Sequence, residues 1–181
     1  MDPRALELLE LPAILDRLAA EAASEPGKDR SHALVPSADP DEVDRLQSLT
    51  REAIELFERS DEPDVADVRD VRHAAAVAAR GSVLDTSALR SVATSIVAAT
   101  AARAAIETAG DAPGLEELAA GVDPALVRVS EAIARAVEDD GSDLRDGASP
   151  ALRRLRKELR EGRARITERL RTLARDPLLR E

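Results

Sequence analysis

The chain has 181 residues, 34% of them charged and 44% apolar, with a formal net charge of -10 and no cysteine. That composition excludes a disulfide scaffold and thiolate chemistry and does not suggest general disorder. Phe57 is the only aromatic residue, so the core must be built from Leu, Ala, Val and Ile, which suits close-packed helices and disfavours sheet.

Asp2-Pro3 opens the chain with an N-cap acceptor and a proline at the first helical position. Pro12 divides the leucine pattern that follows into a short turn and a second helix ending near Ser24. Pro26-Gly27 opens another short helix, to about Leu34, and Asp39-Pro40 repeats the capping signal. From Val43, apolar residues at Leu46, Leu49, Ala53, Leu56 and Phe57 predict an amphipathic helix of about five turns, broken by Ser60–Asp64. Val68 to Arg80 predicts the next helix, with Gly81 as its C-cap. Asp85 caps a long alanine-rich helix to Ala109, and one turn is expected over Leu115–Ala120. Asp123-Pro124 starts a helix to about Val137, and Glu138–Ser149 is a polar turn with room for a small irregular hairpin. Ser149-Pro150 then caps a closing helix to about Arg175, stopped by Asp176-Pro177. Its 26 residues amount to roughly 39 Å at 1.5 Å each.

The expected fold is all-α: a helical core over residues 1–137, an acidic linker over 138–149, and one long projecting, coiled-coil-like helix over 150–181. Charge follows this division. Residues 150–181 hold 11 basic and 5 acidic side chains, whereas the rest of the chain carries a net -16. In the last helix Leu152, Leu155, Leu159, Ile166, Leu170 and Leu173 fall at spacings of 3, 4, 3, 4, 4 and 3 once Gly162 fills the gap. That is close to a heptad seam, narrow enough for one partner helix. Arg153, Arg154, Arg156, Lys157, Arg160 and Arg163 are the candidate contacts to nucleic acid or to a protein partner. No aromatic is present to stack on bases there.

Chemistry of other kinds is not written in the chain. His32 and His73 stand in no metal or triad spacing, and the sequence holds no phosphate-binding loop. The acidic cluster Asp139, Asp140, Asp143 and Asp146 fails the calcium-loop pattern and reads as a solvated turn. No catalytic, cofactor-binding or metal-ligating residues are therefore expected, and this chain by itself is not expected to be an enzyme. No stretch approaches 18 uninterrupted apolar residues and no leader is recognisable, so a cytoplasmic chain without membrane contact is expected.

The order of segments carries a resemblance. LELLELPAILDRLAAEAASEPGK and LVPSADPDEVDRLQSLTREAIELF resemble the opening of MutS-type proteins, through Gly27-Lys28, Pro36-Ser37 and Thr50-Arg51-Glu52-Ala53. EDDGSDLRDGASPALRRLRKELREGRARITERL resembles the second bacterial MutS family at Asp140, Gly141, Asp146, Ala148, Ser149, Pro150, Leu152, Arg153, Leu155 and Arg156. One departure is Gly147, where that family often has serine. This branch lacks the mismatch-recognition domain and usually ends in a small MutS-related nuclease domain. The resemblance implies an N-terminal fragment: a helical core plus the ascending half of a lever, without the clamp, return helix and ATPase domain. It implies a parent that is a dimeric DNA-binding ATPase using ATP and Mg, linked to suppression of recombination or to rescue of stalled ribosomes. The alternative is a stand-alone helical module that pairs with a protein partner through the Leu152–Leu173 stripe.

Overall fold

The computed structural model describes residues 3–59 and 63–174. Nine α-helices follow in chain order among the described residues: α1 (Pro3–Leu8), α2 (Leu11–Glu21), α3 (Glu25–His32), α4 (Pro40–Glu58), α5 (Arg72–Ala79), α6 (Thr86–Ala109), α7 (Pro113–Ala119), α8 (Val127–Ala136) and α9 (Pro150–Ala174). A 3-10 turn, Pro124–Leu126, leads into α8. The described residues form no strand, so the fold is all-α as expected. The Asp2 cap, part of the Ser60–Asp64 break and the Asp176-Pro177 stop lie outside the described residues.

Four helix starts are set by the expected side chains. Asp39 accepts the Asp41 amide at 3.1 Å, Asp85 that of Ala88 at 2.7 Å, and Asp123 that of Ala125 at 2.8 Å. Ser149 Oγ accepts the Leu152 amide at 3.0 Å. Each such cap contributes about 1 kcal/mol. The third helix begins one residue before Pro26, because Ser24 rather than a later residue is the cap, accepting from Gly27 N at 3.2 Å.

One expected boundary is wrong. Helix was expected from Val68, but α5 starts only at Arg72. The Arg69 amide is held at 2.8 Å by Ser95 Oγ of α6, and Asp70 accepts the Arg72 amide at 3.0 Å, so both donors are taken by side chains. The Arg72 guanidinium on Asp70 pulls its carboxyl down to about 2.

The centre of the molecule is α6. It packs against α5, α7, α8 and the 3-10 turn, while α4 packs on α7, and α1, α2 and α3 pack together. Buried Ala93, Ala98 and Ala102 let its neighbours approach closely. By length and composition alone α6 could cross a membrane. It carries Arg90, Arg103 and Glu107, the last two paired at 2.7 Å, and packs on three helices.

The core is thin. Leu56 and Val137 are the largest fully buried side chains. A compact monomer of 19.3 kDa exposes about 8,500 Å², yet this chain exposes 13505 Å². Much apolar surface is left facing water, Phe57 included, at 62% exposure.

Candidate functional site at the base of the last helix

The acidic turn between α8 and α9 is held by both backbone and side-chain hydrogen bonds. Val137 leaves α8 extended, fully buried, and forms an isolated antiparallel bridge with Leu144. The Glu138 amide donates to Asp143 O at 2.9 Å, and the Arg145 amide to Ala136 O at 2.8 Å. The small hairpin allowed by the sequence is thus reduced to one bridge. Gly141 turns the chain at φ 70. A Cβ there would lie 3.3 Å from Arg90 Cβ and 3.5 Å from Ser87 Cα, so the turn is wedged against the start of α6. Gly81, at φ 75, has open space around it. Gly141→Ala is therefore expected to cost about 1–2 kcal/mol from the left-handed backbone, plus a packing cost that Gly81→Ala does not incur. Paired urea titrations check this, and equal midpoint shifts would show that the wedge contributes nothing.

Arg145 organises the turn. Its Nε donates to Ala134 O at 3.1 Å and Val137 O at 2.9 Å, which satisfies carbonyls at the end of α8. Its Nη2 reaches Asp139 at 2.7 Å, and Nη1 lies 3.3 Å from Glu138. Arg90 of α6 stands 4.0 Å from the same Asp139.

Across the turn, Arg156 of α9 forks between two carboxylates. Its Nη1 donates to Asp146 at 2.6 Å and its Nη2 to Asp143 at 2.7 Å. Arg160, one turn further on, adds a bond to Asp146 at 3.4 Å. Hydrogen bonding by Arg156, above all, holds the Asp146 carboxyl below the usual range, and the same bond raises Arg156. Asp140 is also lowered, by the Ser142 hydroxyl and then the Ser142 amide. The cluster is solvated as expected, with Asp139, Asp143 and Asp146 more than half exposed, and each of its four carboxylates is also bonded to a donor. The arginines that donate to it, Arg145, Arg156 and Arg160, lie 6 to 14 residues away from their carboxylates.

Beyond this joint α9 stands largely free. Leu155, Leu159, Ile166, Leu170 and Leu173 are all 52–61% exposed, and Leu152 is half-buried. Among the described residues no core helix packs along α9. Gly162 lies in the seam, and a Cβ there would meet only Arg165 Nη2 at 3.9 Å, so nothing within the chain requires a glycine. The candidate basic residues divide by face. Arg153, Arg156, Arg160 and Arg163 share one edge of the seam at spacings of 3, 4 and 3. Arg154 and Lys157 lie away from it, each 3.8 Å from a glutamate one turn on, Glu158 and Glu161. The structure therefore brings Arg156 and Arg160 onto the acidic turn and leaves Arg153 and Arg163 along the same edge. Of the two histidines, His32 lies 3.3 Å from Asp16 at the surface.

Earlier motif residues also have physical roles. Glu52 of α4 accepts the Gly114 and Leu115 amides at 3.3 and 2.9 Å, capping α7, which has no side-chain cap of its own. A Cβ at Gly114 would sit 2.7 Å from Leu49 Cδ2, so that side chain would have to shift to admit one. Ser37 Oγ bonds Glu42 and also accepts the Asp39 amide, fixing the entry to α4.

No family model matches the chain. Curated relatives do. It is 35% identical over 183 residues to the endonuclease MutS2 of Geobacillus thermodenitrificans, an alignment covering 98% of the chain and 23% of that protein. Against endonuclease MutS2 of Geobacillus kaustophilus the identity is 33%, over 98% of the chain and 23% of the relative. Against that of Symbiobacterium thermophilum it is 31%, over 94% and 21%. The chain is a MutS2-family segment. It spans between a fifth and a quarter of the length of these relatives. The alignments cover nearly the whole MutS2 segment, so the Asp–Gly turn, the Arg145 and Arg156 ion pairs and the exposed seam of α9 all belong to the matched region.

Proposed function

We propose that this chain is the mechanical portion of a MutS-type DNA-binding clamp ATPase: the helical core and the ascending strut of its lever. In the whole protein the strut links an ATP- and Mg-dependent domain to a clamp that engages DNA or the ribosome, and two protomers act together. Suppression of recombination and rescue of stalled ribosomes are the roles this reading favours. The observation that carries it is the seam of α9, five of whose six apolar side chains face water along a helix that no core helix among the described residues covers. An uncovered heptad-like stripe of this length is stable in a folded protein when another helix lies on it. The family relationship supplies the context, since the relatives are named endonucleases and are more than four times as long as the chain.

The test is the double substitution Leu159→Asp with Ile166→Asp. In the 181-residue chain it is expected to leave far-UV helicity unchanged, because neither side chain is buried. In the whole protein it is expected to reduce ATP-dependent DNA retention by at least tenfold. Full retention by the double variant would overturn the strut reading. The second reading, a stand-alone helical pairing module, rests on the same stripe. It requires the 181-residue chain to self-associate and the double variant to sediment as a monomer.

A further inference from the structure

The ion pairs at the base of α9 form a joint. Among the described residues no core helix packs along α9, and the seam leucines beyond Leu152 are exposed. What crosses from the turn to the helix is the Ser149 cap and the arginine fork on Asp143 and Asp146. A cap fixes where the helix begins. It does not fix the angle at which the rod leaves the core.

We propose that Asp143 and Asp146 are a clasp on Arg156, braced by Arg160, that sets the exit angle of α9, and that loosening the clasp lets α9 swing. This deepens the strut reading by naming its joint, and rests on it only for the use made of the motion. Isolated surface ion pairs contribute little because two long side chains must be ordered for one contact. Here one planar guanidinium meets two carboxylates at 2.6 and 2.7 Å, its side chain is only 25% exposed, and a second arginine shares Asp146. Forked geometry and networking are the conditions under which such pairs do hold position. The turn is itself anchored: Arg145 ties it to α8, Gly141 abuts α6, and Arg90 faces Asp139. A rigid turn with a forked contact to a free rod can hold its direction. Because the contact is ionic and near the surface, it can also be released by competing charge.

The native chain has no cysteine, so spin labels can be placed at Thr108→Cys on α6 and Thr172→Cys near the tip of α9. Pulsed electron-electron resonance should give a narrow distance distribution. Arg156→Gln, and separately Asp143→Asn with Asp146→Asn, should each widen it at least twofold. Arg154→Gln, which removes a pair within α9 only, should not. Raising salt from about 0.05 to about 1 M shortens screening to about 3 Å, and should widen the parent distribution while leaving Arg156→Gln unchanged. An unaltered width in both clasp variants would overturn the proposal, as would equal widening in Arg154→Gln. Loss of helicity in Arg156→Gln by circular dichroism also counts against it, since the clasp directs α9 and does not form it. Failure here leaves the strut reading to be decided by Leu159 and Ile166.

Discussion

Replacing Leu56 by alanine is expected to destabilise the chain by about 2–5 kcal/mol, the usual cost of removing a fully buried leucine and leaving a cavity. Leu56 is 2% exposed and, among the described residues, is one of two large side chains buried to that degree. It sits on α4, which reaches the rest of the molecule through α7. With so few large residues enclosed, the site has little surrounding apolar mass to collapse into the space. The urea midpoint should fall by about 1–2 M for a typical dependence of 1–3 kcal/mol per molar. Phe57→Ala, one residue away, should lie within about 0.5 kcal/mol of the parent, as surface substitutions do, because Phe57 is 62% exposed. A Phe57 effect as large as that of Leu56 would mean that α4 is seated by its other face.

That pair shows where sequence stops being informative. The helical period places Leu46, Leu49, Ala53, Leu56 and Phe57 on one broad side of α4, and the helix is there, Pro40 to Glu58. Which part of that side is covered depends on α7, a helix of seven residues more than fifty positions later. Glu52 makes the same point, because its carboxylate satisfies amides 62 and 63 residues away. Local signals were readable throughout: the Asp-Pro and Ser-Pro pairs mark helix starts because cap and proline act within three residues of one another. The α5 boundary failed because a distant serine, Ser95, competes for the Arg69 amide.

The candidate site divides in the same way. The seam of α9 was legible because its spacing is a property of one helix, and its exposure now bears on function. The acidic turn is solvated as the sequence predicts, Asp139, Asp143 and Asp146 being 81, 67 and 52% exposed, but its ion-pair partners are not legible there because they are set by chain reversal. Asp143 and Asp146 meet Arg156 only after the backbone has turned through Gly141 and restarted at Ser149. A run of carboxylates followed within fifteen residues by an arginine-rich helix start is a usable signal for such a pairing. Arg145 gave no such signal, since its main partners are backbone carbonyls.

Arg145→Ala should therefore be the second large effect. The substitution removes two bonds to the carbonyls of Ala134 and Val137 and the contacts to Asp139 and Glu138. Val137 is fully buried, so its carbonyl has poor access to replacement water. Hydrogen bonds from charged donors are worth about 1.5–3 kcal/mol, and an acceptor left unsatisfied adds its own desolvation cost. A total loss of about 2–4 kcal/mol follows, or a melting point lower by about 5–15 °C for a domain of this size. Arg145→Lys should recover less than half of it, because an ammonium on a flexible stem cannot fork between carbonyls and a carboxylate at once. Hydrogen exchange should report faster opening of the Val137 and Arg145 amides, both of which donate to α8 carbonyls, while α2 and α3 stay as protected as before. A melting point within 1 °C of the parent would show instead that the backbone bridge alone holds the turn, and that the arginine merely rests on it.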